Sequence, residues 1–348
     1  MAILAIAAPL VLAAAWLIAR LSGNPEQAGR LLRRIQYTLT AEFLMVVVLG
    51  VIGFAYEQRA RAREARSYGP PGRLVPVEPG AFRLHLDCAG QGSPTVVLIH
   101  GLQGSYLDWY LVQPRIAQFT RVCTFERAGY GWSEPSPRPR VPSAMAEELH
   151  DALQAAGEKP PFVVVGHSFG TVNAEMFAYK FPDAVSGLVL VDGVLPEMLV
   201  GFPLSEKLWL RAMQFTVPFG LPRWRRWCGG SPAVNRELMQ VTQCRSRYFE
   251  TIIREWSAFP QTAAELRGIT SLGNMPLIVI ARDPATDSLA ESHHLDLEKK
   301  KLAFSTNSRL VIAEGSGHDI PFIRPDVIVQ AVRSLVRPQA PAGSRGTP

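Results

Sequence analysis

The sequence predicts an α/β protein with a mostly parallel, doubly wound sheet, a helical insert and apolar helices at its N-terminus. Three observations carry that prediction. From Phe82 onward, short β-branched runs alternate with helix-length amphipathic segments, the rhythm of a parallel sheet flanked by helices. Residues 162–170, Phe-Val-Val-Val-Gly-His-Ser-Phe-Gly, read as strand, sharp turn and helix with Ser168 at the apex. Two apolar runs, 2–19 and 43–56, precede all of this.

The 348 residues are 47% hydrophobic, enough for one large core plus extra segments, and the net charge is +6. The positive charge does not come with a nucleic-acid motif, and no nucleic-acid partner is expected. Run 2–19 carries no charge and would extend about 27 Å as a helix, close to a bilayer core. No basic segment precedes it, which disfavours a secretory signal. The second run includes Glu42 only if it is extended back to Tyr37. Together the runs predict a two-helix membrane hairpin over 1–56, with a single span as the alternative. Arginines flank both sides of the second run, so charge does not orient it. Residues 57–72, basic and then Gly-Pro-Pro-Gly, read as a linker.

The core is expected over 73–194 and 269–337. Phe82–Asp87 alternates as a strand, with His85 on its solvent side. Thr95–Ile99 is a buried strand ending in His100-Gly101-Leu102. Arg121–Phe125 leads into Glu126-Arg127-Ala128-Gly129-Tyr130-Gly131-Trp132-Ser133, and Val141–Ala156 is an amphipathic helix. Next comes the Ser168 turn. Glycines at 166 and 170 let strand and helix pack closely around a strained serine, whose Oγ then stands over a helix N-terminus. Leu188–Val191 is a strand ending at Asp192. Residues 195–268 interrupt the rhythm with a helical, aromatic and arginine-rich stretch, carrying Trp209, Phe215, Phe219, Trp224, Trp227, Phe249 and Trp256. Pro276–Ile280 resumes the sheet, followed by Asp283 and Asp287. Leu289–Phe304 reads as a charged surface helix, its adjacent His293 and His294 facing different ways. Arg309–Ala313 is the last strand and precedes Glu314-Gly315-Ser316-Gly317-His318. Pro325–Val336 closes the core, and 338–348 is a Pro-rich, disordered tail. Of the four cysteines, Cys88 and Cys123 read as packing residues in strands, while pairing of Cys228 with Cys244 is left open.

These motifs, over about residues 80–337, resemble the α/β-hydrolase superfamily. The resemblance implies Ser168 as nucleophile, His318 as general base, and backbone N–H groups of Leu102 and Phe169 as oxyanion donors. It implies a triad acid after the seventh strand, Asp283, with Asp192 and Asp287 as alternatives. The turn at Asp283 is shorter than the family's and lacks its glycine. The Glu126-Arg127 stretch resembles a structural motif of the family that usually begins with Asp. The insert falls where the family carries its lid. Serine at the elbow argues against the haloalkane dehalogenases and epoxide hydrolases of this fold, which need aspartate there. The implied activity is hydrolysis of a carboxylic ester, small or lipid-like, through an acyl-serine, without cofactor or metal and beside a membrane. Amide or peptide hydrolysis, as in iminopeptidase-like relatives, and an inactive membrane-tethered binding protein are the alternatives.

Overall fold

The computed structural model describes residues 25–77, 81–201, 203–228, 234, 236–286 and 293–336. The apolar run 2–19, Asp287 and the tail 338–348 therefore lie outside the described residues. The chain forms two compact units: residues up to Arg63 together with Pro218–Leu221, and Glu64–Val217 together with Pro222 onward.

Among the described residues the first unit is built on one long helix. Helix α1 spans Pro25–Ser67 among the described residues. The run 43–56 lies within it, with Phe43, Leu44, Leu49, Val51 and Ile52 exposed. Its most apolar 18-residue window has a mean hydropathy of 2.1 and none of it is buried, long and apolar enough to cross a bilayer. Pro218–Leu221 lies against this helix at two glycines, Gly50 and Gly53, and a Cβ on Gly53 would collide with the Phe219 carbonyl. The linker expected over 57–72 is helical as far as Ser67, which corrects that boundary. Arg61 pairs with Glu57 one turn earlier at 2.8 Å, and alanine and arginine between them are good helix formers. The chain breaks only at the Pro-Gly cluster, where Gly72 has φ 65°.

The second unit is an eight-stranded sheet with helices. In chain order its main elements are β1 (Arg73–Val77), β2 (Phe82–Ala89), β3 (Thr95–Ile99), β4 (Val122–Glu126), α2 (Pro142–Ala155), β5 (Phe162–His167), α3 (Gly170–Lys180), β6 (Val185–Val191), α4 (Leu204–Thr216), α5 (Arg236–Gln243), α6 (Ser246–Ser257), α7 (Phe259–Arg267), β7 (Leu277–Arg282), α8 (His294–Lys300), β8 (Ser308–Ala313) and α9 (Pro325–Val336). Strand order is β1-β2-β4-β3-β5-β6-β7-β8. The pairs β1–β2 and β2–β4 are antiparallel and the rest parallel.

The central strands are buried on both faces, as parallel strands under helices must be. Val97, Val164, Leu188 and Val279 join Leu149, Val172 and Phe177 on one side. Val96, Val165, Val189 and Ile278 join Ile328 and Val332 on the other. Cys88 and Cys123, expected as packing residues, are instead a disulfide across the β2–β4 register, with Cα atoms 4.0 Å apart. Directly opposed antiparallel residues come close enough for a disulfide, a pairing that alternation along one strand cannot show. His85, expected at the surface, is fully buried. Its Nδ1 meets Glu126 Oε2 at 2.9 Å and its Nε2 meets the Pro71 carbonyl, because the turn before β1 folds over that face.

The insert is helical, as its composition predicts, spanning α4 to α7. Leu210 and Met213 of α4 pack on Tyr248, Phe249, Ile252 and Ile253 of α6. The opposite face of α4 leaves Leu204, Leu208 and Phe215 exposed. Cys228 and Cys244 are paired, with Cα atoms 5.4 Å apart. Glu64, in the last turn of α1 but part of this unit, pairs with Arg223 and with Arg245 at 3.1 Å.

Candidate active site

Ser168 sits in the turn between β5 and α3 with φ 52°, a left-handed conformation that costs a non-glycine residue of order 1–3 kcal/mol. The surroundings hold it there. Its N–H donates to the Val191 carbonyl at 2.9 Å, and Thr171 Oγ donates to its carbonyl at 2.8 Å. A Cβ on Gly166 would lie 2.5 Å from the Gly170 carbonyl, and one on Gly170 would strike the Ile99 carbonyl. Both glycines are there because backbone passes where a side chain would be.

Ser168 Oγ donates to Nε2 of His318 at 3.0 Å, although the two residues are 150 apart in sequence. Nδ1–H of the same ring donates to Asp192 Oδ2 at 2.5 Å. This corrects the expected acid. Asp283 does not touch His318; it accepts N–H bonds from Ala285 at 2.9 Å and Gly315 at 2.8 Å. These two donors hold its carboxyl below the usual range, the Gly315 bond most strongly. Asp283 therefore pins the loop that carries His318, three residues before it. Asp192 has φ 43°, and its N–H donates to the Ile280 carbonyl at 2.7 Å. The tight turn swings its carboxylate over the sheet edge toward the β8 loop. Burial alone would raise the Asp192 carboxyl, but N–H donors from His294 and His318 outweigh it and hold it well below the usual range.

His318 is 47% exposed and the Asp192 carboxylate 0%. Solvent thus reaches the imidazole while its partner is shielded. His167 lies beside the site rather than in it: its Nε2–H donates to the His318 carbonyl at 2.9 Å, and burial, then the neighbouring His318, lowers it to about 4. It is neutral at neutral pH.

The loop His100-Gly101-Leu102 touches the serine, since a Cβ on Gly101 would lie 3.1 Å from the Ser168 Cβ. Arg127 shapes this loop from behind. Its guanidinium donates to the carbonyls of His100 and Gly101, the latter at 3.1 Å. In a trans peptide N–H and C=O point oppositely, so the Leu102 N–H is turned away from Arg127. Arg127 is fully buried and paired with Glu255 of α6 at 3.0 Å, which also accepts from Tyr130 Oη at 2.8 Å. Glu126 is structural, as read: it accepts from the N–H groups of Tyr106 at 3.2 Å and Trp132 at 2.8 Å. Phe169 is the N-cap residue of α3 and stacks on Phe259, ring centroids 5.6 Å apart.

A cavity of about 150 Å³ opens within the insert, lined by Lys207, Leu210, Ile253, Trp256 and Pro260. None of Ser168, His318 and Asp192 lines it. Among the described residues Cys88, Cys123 and Glu158 have metal-ligand spacing. The sulfurs there form the disulfide, and Glu158 is held by Arg121 at 2.6 Å. No thiolate is left to bind a metal.

His294 is the residue the sequence reading missed. Expected on the surface, it is buried and its Nε2–H donates to Asp192 Oδ1 at 2.7 Å. The available signal was the His294–Glu298 spacing of four, which places both on one helix face.

The sequence model of the alpha/beta hydrolase family matches residues 96–331. The chain belongs to that family. The chain is 26% identical over 198 residues to the uncharacterized protein YbdG of Bacillus subtilis, covering 56% of this chain and 60% of YbdG. It is 26% identical over 244 residues to YqjL of the same organism, covering 70% and 83%. Among solved structures it resembles a putative lipase of Acinetobacter baumannii (TM-score 0.57, 21% identity, 79% of this chain and 93% of that one). It also resembles a thermophilic esterase of Thermogutta terrifontis (0.53, 22%, 75% and 95%) and the epoxide hydrolase CorEH (0.55, 19%, 76% and 97%). At these identities the structural likeness speaks for the fold of the chain alone.

Proposed function

We propose that this hydrolase cleaves carboxylic esters through an acyl-serine, with Ser168 as nucleophile, His318 as general base and Asp192 as the acid. The observation that carries the reading is the unbroken hydrogen-bonded line Ser168 Oγ, His318, Asp192, at 3.0 and 2.5 Å. His318 Nε2 takes the Oγ proton as Oγ attacks the ester carbonyl. Asp192 keeps Nδ1 protonated and stabilises the imidazolium. The Leu102 and Phe169 N–H groups receive the oxyanion, each worth on the order of 10²–10³ in rate. The imidazolium then protonates the leaving alkoxide, and water releases the acid by the same steps. Serine at 168, where epoxide-opening members of the fold need aspartate, favours acyl transfer.

The substrate we infer is apolar and lipid-derived, met at a membrane. Support comes from the exposed apolar window of α1 and from Leu204, Leu208, Phe215 and Trp224 exposed on the insert. Arg225 lies over the Trp224 and Trp227 rings at 5.8 and 5.2 Å, and such Arg–Trp pairs suit a headgroup region. The two disulfides favour an oxidising compartment for the sheet domain.

A fluorophosphonate probe tests the chemistry: the full-length chain should be labelled and Ser168→Ala should not. Absent labelling, or equal labelling of both, would sink the reading. A turnover panel of p-nitrophenyl esters of rising chain length beside aminoacyl anilides tests the substrate. Long esters should turn over best; preference for the anilides would move the assignment to amide hydrolysis.

A further inference from the structure

Asp192 is the meeting point of two imidazoles. His318 occupies Oδ2 from the exposed side. Oδ1 accepts Nε2–H of His294 at 2.7 Å and the Arg282 backbone N–H at 3.2 Å. The side chains of His294 and Asp192 are 6% and 0% exposed. A buried carboxylate with both oxygens bonded has no freedom to rotate its plane. The direction of Oδ2 is thus set from the Oδ1 side.

His294 is packed among charges from several elements. Glu298 Oε1, on its own helix, is 3.8 Å from its Nε2. Lys301 Nζ lies 3.8 Å from Glu298 and 3.4 Å from Glu175 of α3. The ammonium sits over Gly193, the residue after Asp192, where any Cβ would collide with it. The Arg282 guanidinium reaches Asp192 Oδ1 at 4.0 Å from β7, and His318 shares the carboxylate from the β8 loop. Burial pushes the Glu175 carboxyl up to about 7 and raises Glu298 too.

We propose that His294 is a positioning residue of this active site. By donating to Oδ1 it fixes the plane of the Asp192 carboxylate and draws charge from Oδ2, so that His318 is held in its Nδ1–H form without gripping a proton too tightly. The proposal rests on the serine-hydrolase reading of Ser168 and His318. The sign of its consequence does not depend on the charge of His294. Removing either a neutral donor or a cation leaves more negative charge on the carboxylate that faces His318, which favours the imidazolium over the neutral ring.

The test uses the full-length chain with His294→Leu and His294→Gln, whose amide retains an N–H donor. With p-nitrophenyl butyrate, His294→Leu should lower kcat on the order of 10- to 100-fold with KM changed less than about threefold. The acid limb of its kcat/KM profile should move up by about half a unit or more. His294→Gln should recover most of kcat. Titration with the fluorophosphonate gives the competent fraction of each preparation. A loss that follows that fraction, with the acid limb unmoved and no rescue by glutamine, would mean simple packing and overturn the proposal. So would a kcat within twofold of wild type. The ring N–H signals of ¹⁵N-histidine protein are a readout without turnover. If wild type neither labels nor turns over, the serine-hydrolase reading fails, and the spectrum alone decides the coupling. A His318 Nδ1–H signal shifted by His294→Leu supports it; an unshifted one overturns it.

Discussion

Asp192 and Asp283 stand at the carboxyl ends of neighbouring parallel strands, β6 and β7, yet they do different work. Asp192 is fully buried, left-handed in backbone, and bonded to two imidazoles. Asp283 is partly exposed and bonded to two backbone N–H groups of the loops around it. The first carboxylate takes its meaning from side chains far away in sequence; the second satisfies local backbone. A carboxylate stabilises a cation strongly only where water is excluded, and of these two only Asp192 is both buried and aimed at His318.

The comparison breaks most easily at Asp192. Asp192→Asn should lower kcat on p-nitrophenyl butyrate by on the order of 10³–10⁴, because the amide favours the wrong imidazole tautomer. If Asp283→Asn showed that loss instead, the assignment would reverse.

Arg127 extends the contrast to a third carboxylate, the buried Glu255. Arg127→Met should cost about 3–5 kcal/mol in denaturant unfolding, since it strands Glu255 in the interior. It should also slow fluorophosphonate labelling, because the His100 and Gly101 carbonyls lose their clamp. Unchanged unfolding would show that Glu255 does not depend on Arg127 for its burial.

His167 tests burial without a carboxylate. Its folded value of about 4 lies below the ordinary 6.5. The unfolded chain therefore binds the proton first as pH falls. The stability His167 contributes is fully present above about 6.5 and is lost between 6.5 and about 4, at most roughly 3 kcal/mol. His167→Gln should flatten the fall in denaturation midpoint over that window; an identical slope would mean that His167 is not buried neutral.

The smallest effect belongs to Asp283. Asp283→Asn should keep kcat within about threefold of wild type and lower the melting temperature slightly through the Gly315 loop. A large kcat loss with an unchanged melting temperature would contradict its role as a loop tie.

The sequence by itself determined the parallel sheet, the strained turn at Ser168, the late loop at His318 and the helical insert. Each of these is written in adjacent residues: β-branched runs, glycines flanking a serine, glycines around a histidine, a change from strand to helix composition. Period and turn chemistry are local properties, so they survive in a linear reading. The pairing of Asp192 with His318, the burial of His294 and His85, and the Cys88–Cys123 disulfide were decided only by the tertiary structure. In each, the partners come from different strands or loops, and which of several similar side chains meets a given partner depends on register and on what covers the site. The His294 reading failed for a related reason. Adjacency with His293 correctly argued against a shared face, but whether the face carrying His294 and Glu298 points to water or to Asp192 is set by how α8 packs against the ends of β6 and β7.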